Sequence, residues 1–353
     1  MRPNLVLNLQ SLFSSLLGRG LEKAASAQPN PDLAGAPTTI RLSPEARAFF
    51  AAQAEAFGQI STSSFIAMTL EGVMRATQSN DSERPQEQLR RRIELSRDRL
   101  LHVFQVHSIE PHEIASLLND YGVTTATLHE ESALLSKLTD HMIAHVAEHF
   151  HVERGWLSGS QEYCARTAEQ QWYKNTQGAI RTLIQLSKDG LRPEVIVLRR
   201  HRADFARAYQ EGDNSPHEDV GVLIQTEQRT PNGRPYKVYE LWDFERWNYP
   251  KCRHYLKALI MWLTRQSEHP SYFGRIHLRG RSIDHDLLQK LIYGRLLPVE
   301  ALQLSHRSGS DWYPQDYVDP ESSPEAEEIS LVEKHYYDAA HLEKLFEEMT
   351  AVN

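Results

Sequence analysis

The stretch TTIRLSPEARAFFAAQAEAFGQISTSSFIAMTLEGVMRA, residues 38–76, decides the fold of the N-terminal part of the chain. Its first five residues alternate in polarity, and this period of two predicts a short strand. Ile40 and Leu42 lie on one face of that strand and make it apolar. Thr39 and Arg41 lie on the other face, where they are available for polar contacts.

Two helices are predicted after the strand. Ser43 followed by Pro44 is a typical helix start, and Gly58 ends this first helix. The second helix begins at the polar triplet Ser61–Ser63. One strand and two short helices cannot bury their own apolar faces. We therefore expect residues 38–78 to pair with a second copy, so that the two strands form an antiparallel ribbon.

The order and lengths of these elements resemble the ribbon-helix-helix family of repressors. The resemblance implies a homodimer whose ribbon enters the major groove of double-stranded DNA, with Thr39 and Arg41 facing the bases. The free backbone N–H groups near Ser61, Thr62 and Ser63, at the start of the second helix, suit a phosphate. The alternative is that the same three elements belong to an ordinary α+β domain.

A second DNA-reading unit is predicted within residues 87–160. The segment PHEIASLLNDYG forms a helix that ends at Gly122, and TTATLHEESALLSKL forms the next one. Ala115 is a small residue at the point where the two helices cross, and Val123 and Leu128 are apolar anchors. These are the requirements of a helix-turn-helix, in which one helix braces and the next reads base edges.

The stretch Leu100–Gly159 resembles the phage-repressor (Cro-like) helix-turn-helix family, most specifically in its ending LTDHMIAHVAEHFHVERGWLSG. The second helix then enters the major groove, and its groove-facing candidates are Thr124, Thr125, Ala126 and His129.

Two features of this stretch depart from the family pattern. The spacing from Ala115 to Gly122 is longer than is common, and Glu131 stands where an apolar anchor is usual. The alternative is a five-helix protein-interaction domain.

The charge balance constrains any contact with DNA. The chain carries a formal net charge of −8, so attraction to a polyanion must be local. Positive charge is concentrated in Arg90–Arg99, and with Arg41 this run is expected to carry the phosphate attraction. A solvated helix face is an equally good interpretation of the run.

Residues 165–353 are predicted to form a C-terminal α+β domain. The runs PEVIVLRR, DVGVLIQTEQ and YKVYELWDF are strands, and Asn232-Gly233 joins the last two as a hairpin. The dense aromatic residues between 236 and 255 either line a pocket for a small molecule or a protein partner, or fill a core. Residues 1–37 are predicted to be a helix and a linker. The predicted fold is therefore multidomain, α-rich and then α+β.

The sequence favours a non-enzyme without a cofactor. His141, His145 and His149 lie on one helix face, and we interpret them as a solvated, partly packed face rather than a zinc site. A strand region carries scattered carboxylates without the spacing of a nuclease, and these are Asp219, Glu227, Glu240 and Asp243. Two distant cysteines suit a reducing cytoplasmic compartment, and no apolar run is long enough to span a membrane.

These observations predict a sequence-specific DNA-binding transcriptional regulator, of the homodimeric repressor type. Its two readers lie in tandem, and its C-terminal domain receives a signal or a partner. The alternative is a non-catalytic, antitoxin-like or adaptor protein that dimerises through the ribbon-helix-helix and binds a protein partner.

Overall fold

The computed structural model of the chain describes eight stretches, and these are residues 42–56, 61–78, 85–165, 172–265, 276–305, 312–321, 325–337 and 344. The chain divides into two compact units, Met1–Leu89 and Arg90–Asn353. Helices are combined with one four-stranded sheet, which is an α+β arrangement.

The described residues of the first unit include helices α1 (Pro44–Ala56) and α2 (Thr62–Gln78). The Oγ of Ser43 accepts a hydrogen bond from the Ala46 N–H at 3.2 Å, which caps α1 at its predicted start. The rings of Phe50 and Phe65 lie 6.3 Å apart and connect the two helices. Of the predicted strand 38–42, only Leu42 lies among the described residues.

The second unit begins with a helical layer, whose first helix starts at Pro85, just before the unit boundary. Its long helix α3 (Pro85–Val106) is followed by short elements, and these are α4 (Pro111–Leu117), a 3-10 turn (Asn119–Tyr121), α5 (Thr125–His129), α6 (Glu131–Leu135), α7 (Asp140–His149) and α8 (Arg154–Leu157). The single helix predicted for TTATLHEESALLSKL is wrong, because Glu130 adopts an extended conformation (φ −102°, ψ 114°) between α5 and α6. The break reorients α6, and Leu134 is 1% exposed in the core.

The sheet is mixed and has the order β3-β2-β1-β4. Its strands are β1 (Glu194–Arg200), β2 (Asp219–Arg229), β3 (Pro235–Arg246) and β4 (His277–Ile283). The first three are antiparallel neighbours, as the predicted hairpin requires, and β4 lies parallel to β1. Strand β4 was not predicted from the sequence, since HLRGRSI carries two arginines and a glycine in place of an apolar run. Gly280 lies against the Trp312 backbone, which leaves no room for a Cβ atom.

Further helices cover the sheet, and these are α9 (Thr176–Lys188), α10 (Phe205–Glu211), α11 (Pro250–Arg265), α12 (His285–Ile292), α13 (Pro298–Leu304) and α14 (Ala326–His335). Val195 and Val197 of β1 pack into the cluster that contains α9, α11 and α14. Ile196 and Leu198 pack into a second cluster with the helical layer, α12 and α13. Because both faces of β1 are covered, the strand reads as a continuous apolar run.

The helical layer and the sheet therefore belong to one body. Phe104, Leu118 and Phe150 of the layer share a hydrophobic cluster with Ile196 and Leu223 of the sheet. The predicted boundary between residues 160 and 165 falls inside this second unit.

Candidate nucleic-acid interface

The turn between α4 and α5 is closed by Gly122. Its φ of +69° is left-handed, a conformation that glycine adopts without steric cost, and its N–H donates to the Asn119 carbonyl at 2.8 Å. Val123 follows and is 1% exposed. After the turn, Val123 therefore packs in the core, and the chain returns to the surface at Thr124, where α5 starts.

Helix α5 presents its first residues to solvent. The Oγ1 of Thr124 accepts a hydrogen bond from the Thr127 N–H at 3.1 Å and caps the helix. Leu128 is partly buried against the core, as an anchor should be. The groove-facing candidates Thr124, Thr125, Ala126 and His129 are all exposed. The structure therefore brings these four residues together on one short exposed helix, and their contact with DNA stays a prediction.

The predicted site residues of the first unit are only partly described. Thr39 and Arg41 lie outside the described residues. Ser61 caps α2, because its Oγ accepts from the Ser64 N–H at 3.1 Å. Thr62 and Ser63 form the first turn of α2, which is where the phosphate contact was expected. That contact also stays a prediction.

Three large apolar side chains of α1 and α2 are exposed among the described residues of these helices. Phe49 is 51% exposed, Met68 46% and Leu70 45%. Isolated apolar side chains are common on surfaces, but these three lie on two short helices that pack against each other. The helices thus leave apolar surface that a second copy could cover.

Several arginines of the run Arg90–Arg99 have partners within the protein, and two of them bind residues outside α3. Arg97 donates to Asp98 at 2.7 Å and also contacts Glu131. Arg99 donates to the carbonyls of Trp156 at 2.7 Å and Gln161 at 2.9 Å. The acidic Glu131, which departs from the family pattern, is therefore the partner of an arginine. These two arginines hold the helical layer together rather than face a phosphate.

An ion pair that the sequence analysis missed connects α4 to the β2–β3 hairpin. Arg234 donates through Nε to Oε1 of Glu113 at 2.5 Å, through Nη2 to Oε2 of the same residue, and through Nη2 to the Ser108 carbonyl at 2.6 Å. Glu113 is 2% exposed and also accepts from the Glu110 N–H at 2.9 Å. The Arg234 guanidinium lowers the pKa of Glu113 to about 2, so this carboxylate is ionised at neutral pH.

The histidine face of α7 is divided between solvent and core. His141 and His145 are exposed and flank Tyr121 at ring distances of 5.6 and 5.5 Å. His149 is half-buried, its Nε2 lies 2.6 Å from the Tyr236 hydroxyl, and burial lowers its pKa to about 4. Within the described ranges, no group of three or more His, Cys, Asp or Glu side chains is arranged to hold a metal ion.

Neither family models, curated proteins nor solved structures match this chain. Across the part of the chain that the structure describes, no helix has the length and apolar character needed to cross a membrane.

The aromatic residues between 236 and 255 pack into the two cores. Tyr236 and Tyr239 lie in the cluster with the helical layer, and Trp242 and Trp247 lie in the opposite one. The rings of Phe205 and Trp247 stack at 4.3 Å. These rings therefore fill the cores, which was one of the two interpretations of their density.

The scattered carboxylates do not converge. Asp219 stands opposite Arg246, Glu227 opposite Lys237, and Glu240 opposite Ile224 in the β2–β3 register. They are spread along the whole hairpin, as separate strand carboxylates would be.

Proposed function

We propose that this chain is a homodimeric DNA-binding transcriptional regulator of the repressor type. Helices α4 and α5 form its helix-turn-helix, and the first unit provides dimerisation and the ribbon. The observation that carries the proposal is the capped, exposed start of α5 behind the left-handed Gly122. It presents the groove-facing candidates while Val123 and Leu128 anchor the helix from below.

The chemistry of these exposed side chains suits base edges. Thr124 and Thr125 carry hydroxyls that donate or accept, and the methyl group of Ala126 suits a thymine methyl. The imidazole of His129 adds a hydrogen-bonding group at the end of α5. A short helix with small side chains fits a major groove that is about 12 Å wide.

The exposed apolar side chains Phe49, Met68 and Leu70 support dimerisation through the first unit. Burial of apolar surface contributes about 25 cal/mol per Å², so covering them with a second copy is favourable. Dimerisation also doubles the number of DNA contacts, which compensates for the weak affinity of each DNA-binding element on its own.

Selection from a random duplex library, followed by fluorescence anisotropy, tests the proposal. We expect enrichment of a two-fold symmetric site that the wild-type protein binds. The variant T125A/H129A should bind it at least tenfold more weakly, since each good base contact is worth about 1–3 kcal/mol. Ser132 is exposed on the adjacent α6, and the control variant S132A should bind like the wild type. Absence of an enriched site, or wild-type binding by T125A/H129A, would refute the proposal.

A protein-binding adaptor is the second candidate, and the charge around α5 favours it. Glu130 and Glu131 follow the helix directly, and Arg97 and Arg99 are engaged inside the layer. A stoichiometric protein partner that co-purifies with the chain, together with no measurable affinity for any duplex, would support this alternative.

A further inference from the structure

We propose that the tip of the β2–β3 hairpin, residues 229–237, is a second DNA-binding surface that contacts the phosphate backbone beside the helix-turn-helix. The inference rests on the proposed DNA-binding function. It supplies cationic side chains that α4 and α5 do not provide.

The hairpin tip is short and internally braced. Gly233 has a φ of +83°, and its N–H donates to the Thr230 carbonyl at 2.7 Å. The Arg234 N–H donates to the Thr230 Oγ1 at 3.1 Å, and the Thr230 N–H donates to the Arg234 carbonyl at 2.9 Å. Pro231 and Asn232 stand exposed above this closure. The tip therefore holds its shape and extends into solvent.

Positive charge is in excess on one face of the tip. Glu227, Arg229 and Lys237 share that face, because alternate residues of a strand point the same way and Glu227 stands opposite Lys237. The Arg229 side chain is 60% exposed and contacts Glu227 at 3.4 Å. Lys237 is also exposed. Two cations and one carboxylate thus lie on this face, which leaves a net positive surface.

Arg234 fixes the tip to the helix-turn-helix. It donates to the Ser108 carbonyl at 2.6 Å and to the Glu113 carboxylate of α4. A second connection joins Tyr236, at the start of β3, to His149 of α7 at 2.6 Å. Because the tip is already ordered relative to α4, little conformational entropy is lost when it meets a ligand. Arg234 is a positioning residue in this arrangement.

The position beside α4 selects the ligand. In a helix-turn-helix complex the bracing helix crosses the DNA backbone while the next helix enters the groove. A cationic hairpin that is bonded to the bracing helix α4 would then contact the DNA backbone, where phosphates are closely spaced. Duplex DNA is accordingly the partner that the surface fits.

The experiment compares salt dependence of binding for full-length variants on the selected duplex. R229Q/K237Q removes both cations of the tip. R181Q/K188Q removes two exposed cations of α9, which packs on the opposite face of the sheet, and serves as the matched control. R229K/K237R retains the charge at the tip.

We expect the slope of log K against log salt to become shallower by about 3.6 in R229Q/K237Q, since the proposed homodimer carries two hairpin tips, loses four phosphate contacts, and each lost contact removes about 0.9. Its affinity deficit should therefore shrink by about a hundredfold between about 50 and about 200 mM salt. The control R181Q/K188Q and the charge-retaining R229K/K237R should keep the wild-type slope.

The outcomes separate the two proposals. If wild type binds and T125A/H129A weakens binding, but R229Q/K237Q keeps the wild-type slope, the hairpin proposal is overturned and the proposed function stands. If wild type binds no duplex, both are overturned. If R229Q/K237Q loses binding to polyglutamate as strongly as to the duplex, the surface fits an acidic protein, and its assignment to DNA is overturned.

Discussion

Replacing Arg234 by methionine, which has a similar reach but no charge, removes the connection between the hairpin and the helical layer. In the wild-type protein, Arg234 donates to Glu113 and to the Ser108 carbonyl. In R234M the Glu113 carboxylate stays in a position that is 2% exposed and loses its cation. The Glu110 N–H continues to donate to it at 2.9 Å.

The expected cost is about 2 kcal/mol of unfolding free energy at pH 7. Removing one partner of a fully buried ion pair costs about 3–5 kcal/mol, because the other charge is left uncompensated. The Arg234 side chain is 40% exposed, and solvent screening reduces that cost.

The cost should depend on pH in a defined direction. In the wild-type protein the pKa of Glu113 is about 2 against an ordinary 4.5, so the pair stabilises the fold above pH 4.5 and this stability is lost as the pH falls towards 2. In R234M, burial without the cation raises the pKa of Glu113. Protonation at moderately low pH then removes the cost of the buried, unpaired charge. The difference between the two proteins should therefore shrink as the pH falls from the raised pKa of Glu113 in R234M towards 2.

Urea unfolding followed by tryptophan fluorescence measures this difference. All six tryptophans, from Trp156 to Trp312, belong to the second unit, so the signal reports on that unit alone. The double variant E113Q/R234M completes the cycle and should recover at least half of the loss, since it buries no charge. Equal destabilisation by R234M at pH 7 and at about pH 3, or no recovery in the double variant, would refute the reasoning.

Three smaller changes probe the turn, the cap and the imidazoles of the helical layer. G122A forces a left-handed alanine at φ +69° and should lower the unfolding free energy by about 1–2 kcal/mol in urea; an unchanged midpoint would contradict this. T124V removes the acceptor that caps α5 and should cost about 1 kcal/mol, whereas T124S should retain stability; equal losses would argue against the cap. Burial lowers the pKa of His107 and of His149 to about 4 from 6.5, so wild-type stability should be full above pH 6.5 and fall between pH 6.5 and 4. H107Q/H149Q should flatten that profile of urea midpoints against pH, and an unaltered profile would falsify the assignment.

Several elements of the fold could be predicted from sequence because their causes are local. Ser43-Pro44 starts α1, Gly122 ends the α4 turn, and Asn232-Gly233 joins β2 to β3. Each of these signals acts through a backbone preference or a cap within a few residues. The exposure of Thr124 and Thr125 was also predictable, since the anchors beside them show which side of α5 faces inwards.

Other features could not be predicted, because their partners are distant in sequence. The Glu113–Arg234 pair joins residues 121 positions apart, and the sequence around each residue contains no pattern that predicts the pair. Strand β4 has no apolar run, and its position is decided by parallel pairing with β1. Likewise, the sequence predicts that Arg97 binds phosphate, and only the folded structure places Glu131 beside Arg97.

The sequence by itself therefore determined several helix starts and ends, the hairpin turn, and which residues of α5 face solvent. Tertiary structure alone decided that the helical layer shares a core with the sheet, and that the hairpin tip lies against α4. The reason is physical. Local signals are backbone preferences over a few residues, whereas burial and ion pairing depend on which distant surfaces exclude water together.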